Sequence, residues 1–148
     1  LWHGEFHMVP RLPETLVQGR EAAYVRYFLD LGTVDDYTVT DAEVEHYAAA
    51  YGDYAHLHAA FEMYRAIPDN IAFNDAHRAP VDVPLLLVGG DQVFGPGMPP
   101  LAKHLRAEYG WTDAEAAIVK SGRHYLPEEH PAEIAALIDR HAQAAMRS

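Results

Sequence analysis

The chain is 148 residues long, 49% hydrophobic and 22% charged, and its 22 Asp and Glu against 11 Lys and Arg give a formal net charge of -11. So apolar a chain is no disordered tail; it reads as one globular domain or part of one, and at this size roughly two thirds of the unfolded surface can be buried. Sparse, scattered basic residues exclude a phosphate-neutralising face, so neither nucleic acid nor a membrane is an expected partner, and with no cysteine disulfides, thiolate-bound zinc and thiol nucleophiles are excluded.

The first residues, Leu1-Trp2-His3, are neither an initiator Met nor the basic start of a signal peptide, which predicts that the chain begins inside a longer sequence. From Leu12 to about Asn74 the pattern is helical. Leu12, Leu16, Tyr24, Tyr27, Phe28 and Leu31 fall at spacings that sum to helical turns and predict a helix ended by Gly32. Thr40-Asp41-Ala42-Glu43 has the form of a capping box, opening a second helix through Val44, Tyr47, Ala48 and Tyr51 that Gly52 stops. A third carries Leu57, Phe61, Tyr64 and Arg65, and Pro68 breaks or redirects it. His7 is expected to be a buried structural histidine. Tyr24, Tyr27, Tyr47, Tyr51 and Tyr54 are expected to pack between helices with their hydroxyls at the rim.

Beyond Ala79-Pro80-Val81-Asp82, the one boundary signal, the character changes. Val83-Pro84-Leu85-Leu86-Leu87-Val88, closed by Gly89-Gly90, is the short apolar run of a strand buried on both faces. Residues 101–109 predict a helix, residues 116–119 a second buried strand, and Pro131 opens a last helix toward Ala145. Strand, helix, strand, helix is one right-handed parallel unit. Two strands leave edges and faces unsatisfied, so they are expected to belong to a larger sheet. The longest apolar run falls far short of the ~20 residues of a membrane helix. With no signal segment either, a cytoplasmic location is expected.

The sharpest chemical feature is His124, in Ser121-Gly122-Arg123-His124-Tyr125-Leu126-Pro127-Glu128-Glu129-His130-Pro131. A histidine just past a strand-ending glycine and before a helix stands at the carboxyl edge of a parallel sheet, where open α/β folds bind ligands. It could act there as a general base near neutral pH; the bland alternative is a surface histidine beside a helix start. Asp91, after Gly89-Gly90, is a carboxylate at the end of the first strand or a turn residue satisfying local amides. His46, His56 and His58 predict no metal site, because i,i+2 histidines point to different helix faces and no carboxylate completes a ligand set. Asp35-Asp36 and Glu128-Glu129 read as solvated or helix-start charges.

The stretch from Gly122 to Pro131 resembles the catalytic-histidine loop of the α/β-hydrolases with a helical cap, in the group of epoxide hydrolases and haloacid or haloalkane dehalogenases, fluoroacetate dehalogenase-like enzymes included. Trp2 to Glu14, followed by Gly19-Arg20-Glu21, resembles the start of the group's cap. Phe61-Glu62-Met63-Tyr64-Arg65-Ala66 resembles a cap helix with a substrate-facing tyrosine. These matches cover nearly the whole chain in the family's order. The fold they imply is α/β, the C-terminal part of an α/β-hydrolase, with residues 1–78 as helical cap and 79–148 as part of the core.

The resemblance implies a two-step mechanism without cofactor or metal: an aspartate attacks carbon to form an alkyl-enzyme ester, and a histidine-activated water hydrolyses it. His124 matches the histidine, Tyr64 a donor to the leaving atom, and Trp2 and His3 the pair at the cap entry. Small-haloacid dehalogenases present that pair as His-Trp, so the Trp-His order here leans toward epoxide hydrolysis. Two departures stand out. No G-x-D-x-G elbow is present, and Gly89 to Gly95 lacks the spacing. The family's acid falls on Gln92 in ungapped alignment, with Asp91 one residue early as a candidate; members with a non-acidic residue there take the acid from the preceding strand, which is expected to lie outside this chain. The implied partners are a small epoxide or organohalide and an N-terminal half bearing the nucleophile, covalent or as a separate chain. A dehalogenase is the alternative enzyme; a non-catalytic module binding a hydrophobic ligand or partner is the alternative of another class.

Overall fold

A computed structural model describes residues 2–147. It forms two compact units, one from the start to Leu31 and from Val39 to His77, the other from Gly32 to Thr38 and from Arg78 onward.

The first unit is helical: α1 (Trp2–Met8), α2 (Leu12–Val17), α3 (Glu21–Gly32), α4 (Asp41–Ala49), α5 (Tyr54–Arg65) and α6 (Ile67–Ala76). The helix predicted from Leu12 to Gly32 is two helices, because Gln18 leaves helical geometry and Gly19 takes φ +77, a conformation that a Cβ disfavours. The break resets the helical phase, so part of the expected apolar stripe faces outward: Leu16 is 51% and Leu31 55% exposed. What α2 buries instead is Pro13, Glu14 and Val17. Val17, Leu57 and Phe61 form the core, with Tyr24 and Tyr51 packed against it.

The capping box is present as predicted, with Glu43 N donating to Thr40 Oγ1 at 3.2 Å and Thr40 N to Glu43 Oε2 at 2.7 Å. Asp53 caps α5 by accepting the His56 amide at 3.0 Å. Pro68 redirects the chain: it is the second residue of α6, where a missing N–H costs nothing.

The second unit contains β1 (Leu85–Gly90), α7 (Met98–Glu108), β2 (Ala114–Val119), α8 (Leu126–Glu129) and α9 (Pro131–Ala145). The strands run parallel, Leu85 opposite Ala114 and Gly90 opposite Val119, and α7 packs against both. The expectation of strands buried on both faces fails here. Leu85 to Val88 are only half-buried, and only Gly89 and Gly90 are fully covered in β1. The cause is the small sheet: the described residues contribute two strands, so each has one neighbour. No helix among the described residues is long and apolar enough to cross a membrane.

Candidate active site

Parallel pairing brings the ends of β1 and β2 to one edge, and the loops that follow leave it side by side. Asp91 N donates to Val119 O at 3.0 Å and Gln92 N to Gly122 O at 3.1 Å, stitching the two loops together. The approach demands glycine, since a Cβ on Gly90 would lie 2.3 Å from the Gly122 carbonyl. Ser121 then turns the chain with φ 55.

His124 follows, exposed, its ring centroid 5.3 Å from Phe94 and 4.9 Å from Tyr125. Its amide donates to Gly32 O at 2.9 Å. Tyr125 packs so closely on Gly32 that a Cβ there would stand 2.4 Å from its ring. Arg123 Nη1 donates to Thr33 O at 2.8 Å and lies 3.4 Å from Asp35 Oδ1. The segment 32–38 is therefore a brace for the histidine loop, which its place between two helices in sequence did not suggest. Glu129 corrects a second expectation. It is not simply a solvated or helix-start charge but half-buried, its carboxylate accepting the amides of Arg123 and Tyr125.

Asp91 lies at the same edge. Its Oδ2 is 3.6 Å from Lys120 Nζ, and Oδ1 is buried with no hydrogen-bond partner among the described residues. Among the described residues neither oxygen is hydrogen-bonded to His124. Gln92 is exposed and reaches the histidine loop only through its backbone.

In the helical unit His3 and Tyr64 come together, ring centroids 6.4 Å apart, with His7 4.3 Å from Tyr64 and 4.7 Å from Phe61. His7 is 4% exposed, and its Nε2 pairs with the Tyr24 hydroxyl. That hydroxyl was expected at the rim; its pairing with a buried histidine shows why Tyr24 reaches inward. Burial, with help from His3 and Arg65, pushes His7 down to about 4, and burial raises Tyr24 above the usual phenol range. Trp2 packs edge-on against His3, ring centroids 6.0 Å apart. It is 53% exposed, lies against Tyr27 and Phe28, and lines an apolar groove of about 400 Å³ with Leu16, Val17 and Tyr24.

One further cluster joins residues too far apart for any sequence pattern to announce it. Glu14 is 0% exposed and held by Arg65 through two bonds, Nη1 to Oε1 at 2.8 Å and Nη2 to Oε2 at 3.0 Å. Arg65 Nη2 also donates to Val9 O at 2.8 Å, and His58 Nδ1 lies 2.8 Å from Glu14 Oε1. The Arg65 hydrogen bond, more than any other contact, holds Glu14 down to about 2. His56 meanwhile faces Asp53 at 2.8 Å. Among the described residues no three His, Cys, Asp or Glu are grouped to hold a metal.

These groups make the helical unit acid-sensitive. His7 titrates near 6.5 unfolded and near 4 folded, so its contribution is complete above pH 6.5 and is lost as pH falls toward 4, on the order of 3 kcal/mol. Glu14 falls in the same way between 4.5 and 2. A urea midpoint that drops from pH 7 to pH 4, with a shallower drop in His7→Phe, is the expected outcome; equal slopes would remove His7 from this account.

No protein-family model matches the sequence, and no curated protein matches it. Solved structures do. Cfl2 from Burkholderia cenocepacia is 30% identical and superposes with a TM-score of 0.80 over 94% of this chain and 46% of its own. The Cif epoxide hydrolase from Acinetobacter nosocomialis is 20% identical, TM-score 0.81, over 95% of this chain and 44% of its own. A protein from Nostoc sp PCC 7120 described as an alpha/beta hydrolase is 23% identical, TM-score 0.76, over 93% and 47%. The chain carries part of an α/β-hydrolase fold. It resembles the C-terminal half of a capped α/β-hydrolase and spans about half the length of the structures it matches. Further matches carry the names of epoxide hydrolases and of an acyltransferase, each under 25% identical and so a likeness of fold alone.

Proposed function

We propose that this α/β-hydrolase segment supplies the base and the leaving-group donors of an epoxide hydrolase. The nucleophilic aspartate comes from an N-terminal half of the same fold, covalent or separate. Residues 1–78 act as its cap and 79–148 as part of its core. The observation that carries the reading is His124: an exposed imidazole at the carboxyl edge of a parallel sheet, on a loop held by backbone hydrogen bonds to its neighbours. The half-buried face of Leu85 to Val88 supports a further strand-bearing segment beside β1 and β2.

In this reading the aspartate attacks an epoxide carbon, the carbon–oxygen bond breaks, and the alkoxide takes a proton from Tyr64, next to His3. Water then attacks the ester carbonyl while His124 accepts its proton; collapse releases the diol and restores the carboxylate, and the proton on His124 passes through solvent to the Tyr64 phenolate. Asp91 is the proposed acid behind His124, at the β1 end that Gln92 N stitches to the histidine loop. The halide alternative needs Trp2 and His3 to work as a pair. Trp2 and His3 stand edge-on, ring centroids 6.0 Å apart, but in the Trp-His order, which leans toward the epoxide.

Single-turnover ester formation by Tyr64→Phe, with an aryl epoxide and a haloacid of similar size, tests the assignment. Loss of a donor to a developing oxyanion costs about 3 kcal/mol, on the order of a hundredfold in rate. A loss confined to the epoxide is expected. A loss confined to the haloacid would make the enzyme a dehalogenase, and unchanged rates with both would leave Tyr64 as packing. The groove beside Trp2 favours one second reading, a non-catalytic module for a hydrophobic ligand; an N-terminal half without an elbow aspartate would select it.

A further inference from the structure

We infer that Glu129 is the positioning residue of the His124 loop, its single carboxylate fixing the amides on either side of the histidine and through them the place of the imidazole. Arg123 N donates to Glu129 Oε2 at 2.6 Å, and Tyr125 N donates to Oε1 at 3.1 Å. Between them His124 N donates to Gly32 O at 2.9 Å. Three successive N–H groups thus have fixed acceptors, two of them on one anion, and no peptide in the run can rotate without abandoning a bond. Bonds to a carboxylate are roughly twice as strong as neutral ones. Glu129 is itself tied to the same loop, since its own amide donates to Tyr125 O at 3.0 Å. Tyr125 and Glu129 therefore close a ring of two reciprocal hydrogen bonds around the start of α8.

The imidazole needs this. Its ring touches Phe94 and Tyr125, and among the described residues no side chain hydrogen-bonds to it, so backbone geometry decides where its nitrogens point. A base that must meet a water at hydrogen-bond distance is sensitive to displacements of about 1 Å. Glu129 does not touch the reacting atoms; it acts through the loop.

The inference rests on His124 serving the second chemical step, and the test separates the two. In the full-length enzyme with an aryl epoxide, rapid quenching measures ester formation and ester hydrolysis separately, each normalised to active sites by the burst amplitude. Glu129→Ala is expected to form the ester at the normal rate and to hydrolyse it on the order of 100-fold more slowly. Glu129→Gln, which keeps one carbonyl acceptor without the charge, should fall between Ala and the parent and carries the same test if Ala does not fold. Hydrogen exchange at the Arg123 and Tyr125 amides should quicken in both. Normal hydrolysis in Glu129→Ala, with His124→Gln still trapping the ester, would overturn the inference and leave the functional reading standing. Equal loss in both steps would make Glu129 structural and overturn it as well. Normal hydrolysis in His124→Gln would remove the functional reading and the inference together.

Discussion

His124→Gln is expected to slow hydrolysis of the alkyl-enzyme ester by roughly a hundred- to ten-thousand-fold, the usual worth of a positioned general base, while the ester still forms. The division follows from the chemistry. Attack on the epoxide carbon needs a carboxylate and a donor to the oxygen, and neither role falls to an imidazole on the strand-edge loop. Attack of water on the ester carbonyl needs the water's proton to go somewhere, and the proposed acceptor is His124, an exposed imidazole. Glutamine keeps the polar volume and removes the titrating nitrogen. Intact-mass spectrometry after substrate addition should show His124→Gln still carrying one substrate mass on the segment with the nucleophile after the parent enzyme has consumed its substrate and returned to its unmodified mass. An unmodified and fully active variant would take His124 out of the mechanism.

Arg65→Met is expected to destabilise the helical unit by about 3–5 kcal/mol, because it strands a wholly buried Glu14 carboxylate and removing one member of a buried pair leaves an uncompensated charge. His58 remains near Glu14, yet it supplies one contact where Arg65 supplies two, and the Val9 carbonyl loses its donor as well. Replacing both partners by apolar residues of similar size should be far milder, since the desolvation cost disappears with the charge. Urea denaturation of Arg65→Met and of the Glu14→Leu, Arg65→Met double variant measures both. A single-variant loss under about 1 kcal/mol, the worth of a surface ion pair, would show that Glu14 finds solvent or protonates at little cost. Tyr64 precedes Arg65 on α5, so the same anchor that ties α5 to Val9 and Glu14 bears on the proposed donor.

What the sequence shows and what it hides divide by range. The Thr40–Glu43 capping box, the redirection at Pro68 and the start of α9 at Pro131 are local, three or four residues deep, and are present as read. The strand-helix-strand order was legible because glycines close both apolar runs, and that order alone places His124 at the carboxyl edge. The phase of α3 was not legible, because three non-helical residues between α2 and α3 erase the register that periodicity assumes. Glu14 gave no signal because its partner is 51 residues away. The role of Glu129 was hidden for a different reason. A reach-back carboxylate is normally announced by Ser or Thr at the cap, and here the residue before α8 is Tyr125. Trp2 and His3 are neighbours in sequence and stay together in the fold, edge-on and both against Phe28; that Tyr64 stands beside His3 and Tyr27 beside Trp2 is something only the packing of α1 reveals.

In the proposed mechanism water attacks an enzyme ester and never the substrate. A single turnover of an epoxide by excess full-length enzyme in oxygen-18 water tests it most directly. With an ester intermediate, the diol of that first turnover carries no label, because its new oxygen comes from the aspartate, and the heavy oxygen is found in the carboxylate. Label in the first diol, with none in the protein, would mean direct attack of water on the epoxide and would contradict the mechanism proposed for His124.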